Sequence, residues 1–217
     1  MKDKPTEWVS ISDLMAGLMA VVMLLLVISV LQRSYIEKRH KEELRREVES
    51  RKNQLTTMLS TLSAALQQQG SGDLISIDIN EGKITLRDNV FDRGSACITR
   101  QAGDAIRSIS SNLHYFLSQS EYTQVLVEGH TDNLPVGKPA LDFSRFCTVY
   151  DDNYTLTAAR AREARNLLID GIESVEARRV IVAGYGDSQP LKDMTPSDPR
   201  NRRVEVHFVA REQNQSR

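Results

Sequence analysis

The chain has 217 residues, with 28 Lys and Arg set against 29 Asp and Glu and a formal net charge of -1. That balance leaves no basic footprint, so no nucleic-acid partner is expected. One long apolar run and a charged stretch behind it stand apart, and what remains suits a single domain of ordinary size with its own core.

The apolar run is residues 14–31, Leu-Met-Ala-Gly-Leu-Met-Ala-Val-Val-Met-Leu-Leu-Leu-Val-Ile-Ser-Val-Leu. At about 1.5 Å rise per residue a helix of this length roughly covers the hydrocarbon of a bilayer, which predicts a transmembrane helix over 14–32 after a short segment 1–13. A cleaved signal peptide would have a shorter apolar region and a small-residue cleavage site, and Ser29-Val30-Leu31-Gln32-Arg33 offers none. Trp8 suits the headgroup level. Asp13 stands at the mouth of the run, where hydrocarbon cannot solvate a carboxylate. It reads either as an N-cap that accepts backbone N–H groups or as an ion-carrying group. Met15, Gly17 and Ala20 are small or flexible residues suited to close helix packing, and they favour the second. Lys2 and Lys4 precede the run while Arg33, Lys38, Arg39, Lys41, Arg45 and Arg46 follow it, so a bare count of basic residues would place the C-terminus in the cytoplasm.

Residues 33–69 contain no Pro or Gly and are dense in Glu, Lys, Arg, Leu and Gln, which predicts a helical connector over 33–72 ended by Gly70-Ser71-Gly72. Leu44, Val48, Leu55, Leu59, Leu62 and Leu66 make a narrow apolar stripe. Two such helices could share it in a homodimer, or one could lie on its own C-terminal domain; the pattern allows both.

From Leu74 the period changes to two. Ile75, Ile77 and Ile79 alternate with polar residues, and after Glu81-Gly82 the alternation resumes at Ile84 and Leu86, predicting a hairpin. Ala102, Ile106, Ile109, Leu113 and Phe116 mark a helical face over 99–117. Short strands are expected at 124–128, 179–183 and 204–209, with an Ala- and Arg-rich helix at about 157–170. The fold class is therefore a transmembrane helix and helical connector followed by an α/β domain, 73–210, with helices packed on a mixed sheet and a tail at 211–217.

Val127-Glu128-Gly129-His130-Thr131-Asp132, Leu156-Thr157-Ala158-Ala159-Arg160-Ala161, Asn201-Arg202-Arg203-Val204-Glu205 and Phe91-Asp92-Arg93-Gly94-Ser95-Ala96 together resemble the OmpA-like peptidoglycan-binding domain over about 74–209. The resemblance implies that Asp132 and Arg160 bracket the diaminopimelate of a peptidoglycan stem peptide, with Thr131, Asn201 and Arg202 beside them. The chemistry suits that role, because a zwitterionic head needs an anion for its ammonium and a planar fork for its carboxylate. A plain salt bridge between Asp132 and Arg160 is the bland alternative. Thr157 is expected to cap its helix near Arg160. Arg202 and Arg203 fit either carboxylate contacts or the solvated edge of the sheet. His130 has no partner at ligand spacing among His40, His114 and His207, so it reads as a strand-end residue and no metal site is expected.

Peptidoglycan lies outside the cytoplasmic membrane, so the resemblance implies a periplasmic C-terminal domain and a cytoplasmic N-terminus, against the basic-residue count. Cys97 and Cys147 are the only cysteines; a disulfide pinning the loop 134–153 and two buried thiols are both open readings. That loop is long and mixes Pro135, Pro139, Phe143, Phe146 and Tyr150 with charges, which suits shaping a ligand cleft or a dimer surface.

The segment Trp8-Val9-Ser10-Ile11-Ser12-Asp13-Leu14-Met15-Ala16-Gly17-Leu18-Met19 resembles the start of the transmembrane helix of MotB-type stator subunits, most like ZorB, the B subunits of Zorya anti-phage defence systems. This implies that Asp13 relays H+ or Na+, and that two copies of the chain sit inside a ring of a multi-span MotA- or ZorA-like partner, five to two. A flagellar stator subunit and a passive peptidoglycan tether without ion flux are the competing functions. No nucleophile with its base and no phosphate loop is legible, so neither an enzyme nor a cofactor is expected.

Overall fold

The computed structural model describes the backbone of residues 6–210 and the side chains of residues 14–209. It divides into two compact units, Met1–Lys52 and Asn53–Arg217. Helix α1, Thr6–Gln68, contributes to both.

In the first unit α1 is long and apolar enough to cross a membrane, and every side chain from Leu14 to Ser50 is exposed. The segment is apolar around its whole circumference over 14–31, so no single buried stripe organises it. The relay predicted at Asp13 falls on a side chain outside the described residues.

The second unit begins inside the helix, at Asn53, rather than after the Gly70-Ser71-Gly72 break. Met58, Leu59, Leu62 and Leu66 are buried in its hydrophobic core and Leu55 packs against it, whereas Leu44 and Val48 are exposed. The apolar stripe is thus split: its C-terminal half lies on its own domain.

Five strands follow: β1, Ile75–Asp78; β2, Lys83–Arg87; β3, Thr123–His130; β4, Val180–Gly184; and β5, Arg203–Ala210. They form one sheet in the order β1-β2-β5-β3-β4, antiparallel except for the parallel pair β3 and β4. The sheet is mixed, as the alternation of strands and helices predicts. Val125, Val127, Val204, Val206 and Phe208 point into the core, where they meet α2, Arg100–Ser118, through Ile106, Ile109, Leu113 and Phe116. Thr99 caps α2 by accepting from the N–H of Ala102.

After a one-turn helix α3, Phe143–Phe146, helix α4, Asn153–Leu168, starts earlier than the expected 157. Asp152, not Thr157, is the N-cap: its carboxylate accepts from the N–H of Thr155 at 2.6 Å. Thr157 lies a turn inside, where its hydroxyl donates to the Tyr154 carbonyl and accepts from the N–H of Gly186. Two glycines make this packing possible. A Cβ on Gly129 would meet the Thr157 carbonyl at 2.1 Å, and one on Gly184 would meet the Ala158 nitrogen at 2.6 Å. The first turns of α4 therefore rest directly on the backbone ends of β3 and β4, which brings Arg160 and Asp132 to the same end of the sheet.

Candidate functional site at the end of the sheet

Four charged side chains from four separate segments converge at that end. Asp132 follows β3, Arg160 is on α4, Arg202 precedes β5, and Asp88 opens a short 3-10 turn, Asp88–Val90, directly after β2. Asp132 and Arg160 are not paired with each other, contrary to the plain salt-bridge reading. Arg202 Nη1 donates to Asp132 Oδ2 at 2.6 Å and Arg202 Nε donates to Asp88 Oδ2 at 2.9 Å. Arg160 Nη1 donates to Asp88 Oδ1 at 3.2 Å, and its Nε donates to the Ser95 carbonyl at 2.9 Å. Asp88 and Arg202 are thus the links of the chain Asp132, Arg202, Asp88, Arg160.

Two carboxylates and two guanidinium groups make the cluster neutral, and Arg160 also lies over the Phe91 ring, 5.0 Å from its centroid. Burial pulls the Arg160 pKa down while Asp88 opposes it. For Arg202 burial acts in the same direction, but the hydrogen bonds to Asp88 and Asp132 outweigh it and the pKa is raised. Such an arrangement can exchange its internal partners for the ammonium and carboxylate of a zwitterionic ligand without a change of net charge.

The other predicted residues divide. Thr131 is buried beside Asp132, and its N–H donates to the Gly186 carbonyl. Asn201 is fully buried and committed: its Oδ1 accepts from the N–H of Leu191, and its Nδ2 donates to the carbonyls of Thr195 and Pro196. In the structure Asn201, expected beside the ligand, clamps the loop before β5. Arg203 is buried on the sheet, donating to Glu205 at 2.7 Å, so of the two adjacent arginines only Arg202 joins the cluster. Asp88 was missed; its only sequence signal is a carboxylate at the end of the first hairpin, and its partner Arg202 lies 114 residues away.

The loop between β3 and α4 is pinned over the segment carrying Ser95. Cys97 and Cys147 form a disulfide with Cα atoms 5.1 Å apart. The Phe146 carbonyl accepts from Ala96 N and from Ser95 Oγ, both at 3.0 Å, and the Tyr150 hydroxyl donates to the Gly94 carbonyl. Ala140 and Tyr150 pair as a bridge inside the loop. The turn that receives Arg160 Nε is therefore held from both sides.

His130 is 1% exposed, stacks on Tyr185 at 5.2 Å, and has no hydrogen-bond partner for either ring nitrogen among the described residues. Burial, with the nearby Arg203 charge, lowers its pKa to about 4. Among the described residues, the three side chains that could hold a metal lie elsewhere, on the sheet face away from the helices: Glu128, Glu205 and His207 bring one ligand atom each within 4.8 Å of one another. Glu205 is already bound there by Arg203 at 2.7 Å, His207 at 2.9 Å and Lys83 at 3.6 Å. Burial opposes the Glu205 charge, but the hydrogen bonds from His207 and Arg203 prevail and hold its pKa well below the carboxylate range. These contacts form a satisfied ion-pair network.

The sequence pattern of the OmpA family matches residues 90–203. Outer membrane porin F of Pseudomonas aeruginosa is 37% identical over 101 residues, which is 46% of this chain and 25% of that protein. The protein YtxE of Bacillus subtilis is 29% identical over 119 residues, 54% of this chain and 43% of that protein. The chain thus spans less than half the length of either relative. Among solved structures, a putative MotB-like protein from Desulfovibrio vulgaris aligns with a TM-score of 0.54 at 20% identity, covering 75% of this chain and 98% of that one. That likeness is one of fold.

Proposed function

This chain belongs to the OmpA family, and we propose that its second unit binds the stem peptide of peptidoglycan while its N-terminal helix anchors it in the inner membrane. The observation that carries this reading is the neutral cluster of Asp132, Arg202, Asp88 and Arg160, which offers both charges to a zwitterionic amino-acid head within one site. Peptidoglycan outside the membrane puts this unit in the periplasm and the N-terminus in the cytoplasm. The Cys97–Cys147 disulfide suits that oxidising compartment.

The finer reading is a MotB-like B subunit of an ion-driven motor, of the kind found in Zorya anti-phage defence. Its support is the sequence around Asp13, a carboxylate at the threshold of an exposed apolar helix. Protonation of such a carboxylate, or its neutralisation by Na+, removes its desolvation penalty and changes the surface it prefers. A membrane potential supplies roughly 2.3 kcal/mol per charge per 100 mV, enough to drive steps when repeated. One span makes no ion pathway alone, so a multi-span A-type partner surrounds a dimer of this chain, and wall binding holds that dimer still while the ring turns.

The test is the mass of the intact complex after the full-length chain is purified from membranes together with its genomic neighbours. A multi-span partner at about five copies to two is the expected result, the ratio that the resemblance to MotB-type subunits implies. A lone dimer under mild extraction overturns the motor and leaves a passive tether. If the complex is present, an Asp13→Asn strain that loses phage resistance but swims normally separates defence from a flagellar load.

A further inference from the structure

Glu128 on β3 and Glu205 on β5 stand directly opposite each other on the sheet face away from the helices, with His207 two residues further along that face. Like charges set opposite on neighbouring strands repel, and burial adds to the cost, because only 15% of the Glu128 side chain and 8% of the Glu205 side chain are exposed. Glu205 is answered by Arg203, His207 and Lys83. Glu128 is not: among the described residues its partners are His207 Nε2 at 3.4 Å and the Tyr185 hydroxyl at 3.5 Å, both beyond ordinary hydrogen-bond length. His207 Nε2 carries a single proton at most and already lies 2.9 Å from Glu205 Oε2, so it cannot answer both carboxylates.

We propose that Glu128, Glu205 and His207 are the ligands of a divalent transition-metal ion, Zn2+ by their donor set. Ligands about 2.1 Å from a tetrahedral Zn2+ stand roughly 3.4 Å from one another. Two sides of the triangle already have that scale, His207 Nε2 to Glu128 Oε2 at 3.4 Å and to Glu205 Oε2 at 2.9 Å. The third, within 4.8 Å, closes by rotation of the Glu128 side chain. The ion takes the place of the imidazole proton between the carboxylates. Glu205 Oε1 stays with Arg203 at 2.7 Å and Lys83 at 3.6 Å, which fixes the carboxylate as the outer partners of a metal ligand do. Those cations leave room for a metal charge: Glu81 holds Lys83 at 2.7 Å, so three carboxylates face two cations while His207 is neutral. The His207 side chain is 28% exposed, which gives the ion a way in and leaves its fourth position to water. A metal held there ties β3 to β5, independently of any ligand at the end of the sheet.

The experiment titrates the full-length chain in detergent, free of any histidine tag and stripped with chelator, with ZnCl2 in a calorimeter, and melts it with and without the ion. Wild type is expected to bind Zn2+ saturably and to melt about 5 °C higher when the ion stands at about a hundred times its dissociation constant. Glu128→Gln and His207→Gln should each weaken binding by about tenfold or more and remove that shift. His114→Gln, at the exposed pair with Glu176, should change neither. No saturable binding by wild type, binding that survives both ligand substitutions, or an equal shift with Mg2+ overturns the proposal. If neither variant folds, the wild-type protein decides: Zn2+ should slow the modification of His207 by diethyl pyrocarbonate, read on its peptide, and an unchanged rate overturns the site.

Discussion

Residues 14–31 and 53–68 of α1 are both helical and both rich in Leu, yet they depend on different surroundings. The first stretch exposes every side chain, while the second buries Met58, Leu59, Leu62 and Leu66 in the core of the α/β unit. The difference lies in how the apolar residues are spaced. A helix apolar all round is stable in a solvent as apolar as itself, whereas a single stripe needs one packed neighbour. One helix can therefore carry two stabilities, and a change to one stretch need not be felt by the other.

The most severe way to break the comparison is truncation. A chain beginning at residue 73 lacks four buried side chains, each worth about 2 to 3 kcal/mol, together comparable with the whole stability of a domain. It should show no cooperative thermal transition, whereas a chain beginning at residue 53 should melt as one unit. If both melt alike, the helix is not part of the fold.

Removing the disulfide comes next. Replacing Cys97 and Cys147 by Ala opens a closure of 50 residues, and loop entropy gives a loss of about 4 kcal/mol. Chemical denaturation should report that loss for the α/β unit, while helicity of a peptide covering residues 14–31 in micelles is untouched by reductant.

Acid should act with the same selectivity. His130 has its pKa lowered from 6.5 to about 4, so it is buried neutral and the unfolded chain binds its proton first. Stability is full above pH 6.5 and falls as pH drops towards 4, by up to about 3 kcal/mol. Below about 4.5 the depressed pKa of Glu205 adds loss in the same direction. Urea midpoints at pH 7 and pH 5 measure the slope, and His130→Phe should flatten it.

The smallest effect is expected between the two stretches. Arg51 and Glu47 form an exposed ion pair at 2.6 Å, and Arg51→Ala should shift the unfolding free energy by no more than about 0.5 kcal/mol.

Periodicity is a local property, and the elements that depend on it were legible: the apolar span, the first hairpin, α2 and the last strand. Boundaries set by competing caps were not, because Asp152 and Thr157 are both acceptable caps and only packing on Gly129 and Gly184 decides between them. The site shows the same limit. Its motif residues Asp132, Arg160 and Arg202 could be found one by one, but their connection through Asp88 is a product of the sheet order, which sets the end of β2 beside the start of β5. The loop-holding bonds of Asn201 were not legible either, because an amide suited to a ligand is equally suited to a loop.

That sheet order also dictates a timetable. Strand β5, latest in sequence, pairs with both β2 and β3 and separates the hairpin from the parallel pair. Until Arg203–Ala210 has been made, the strand that joins the two halves of the sheet is missing, and the edges of β2 and β3 that it covers have no partner. Its folding therefore waits for a segment that the ribosome delivers after every other strand, and the nascent protein must be kept from pairing those edges with a neighbour in the interval.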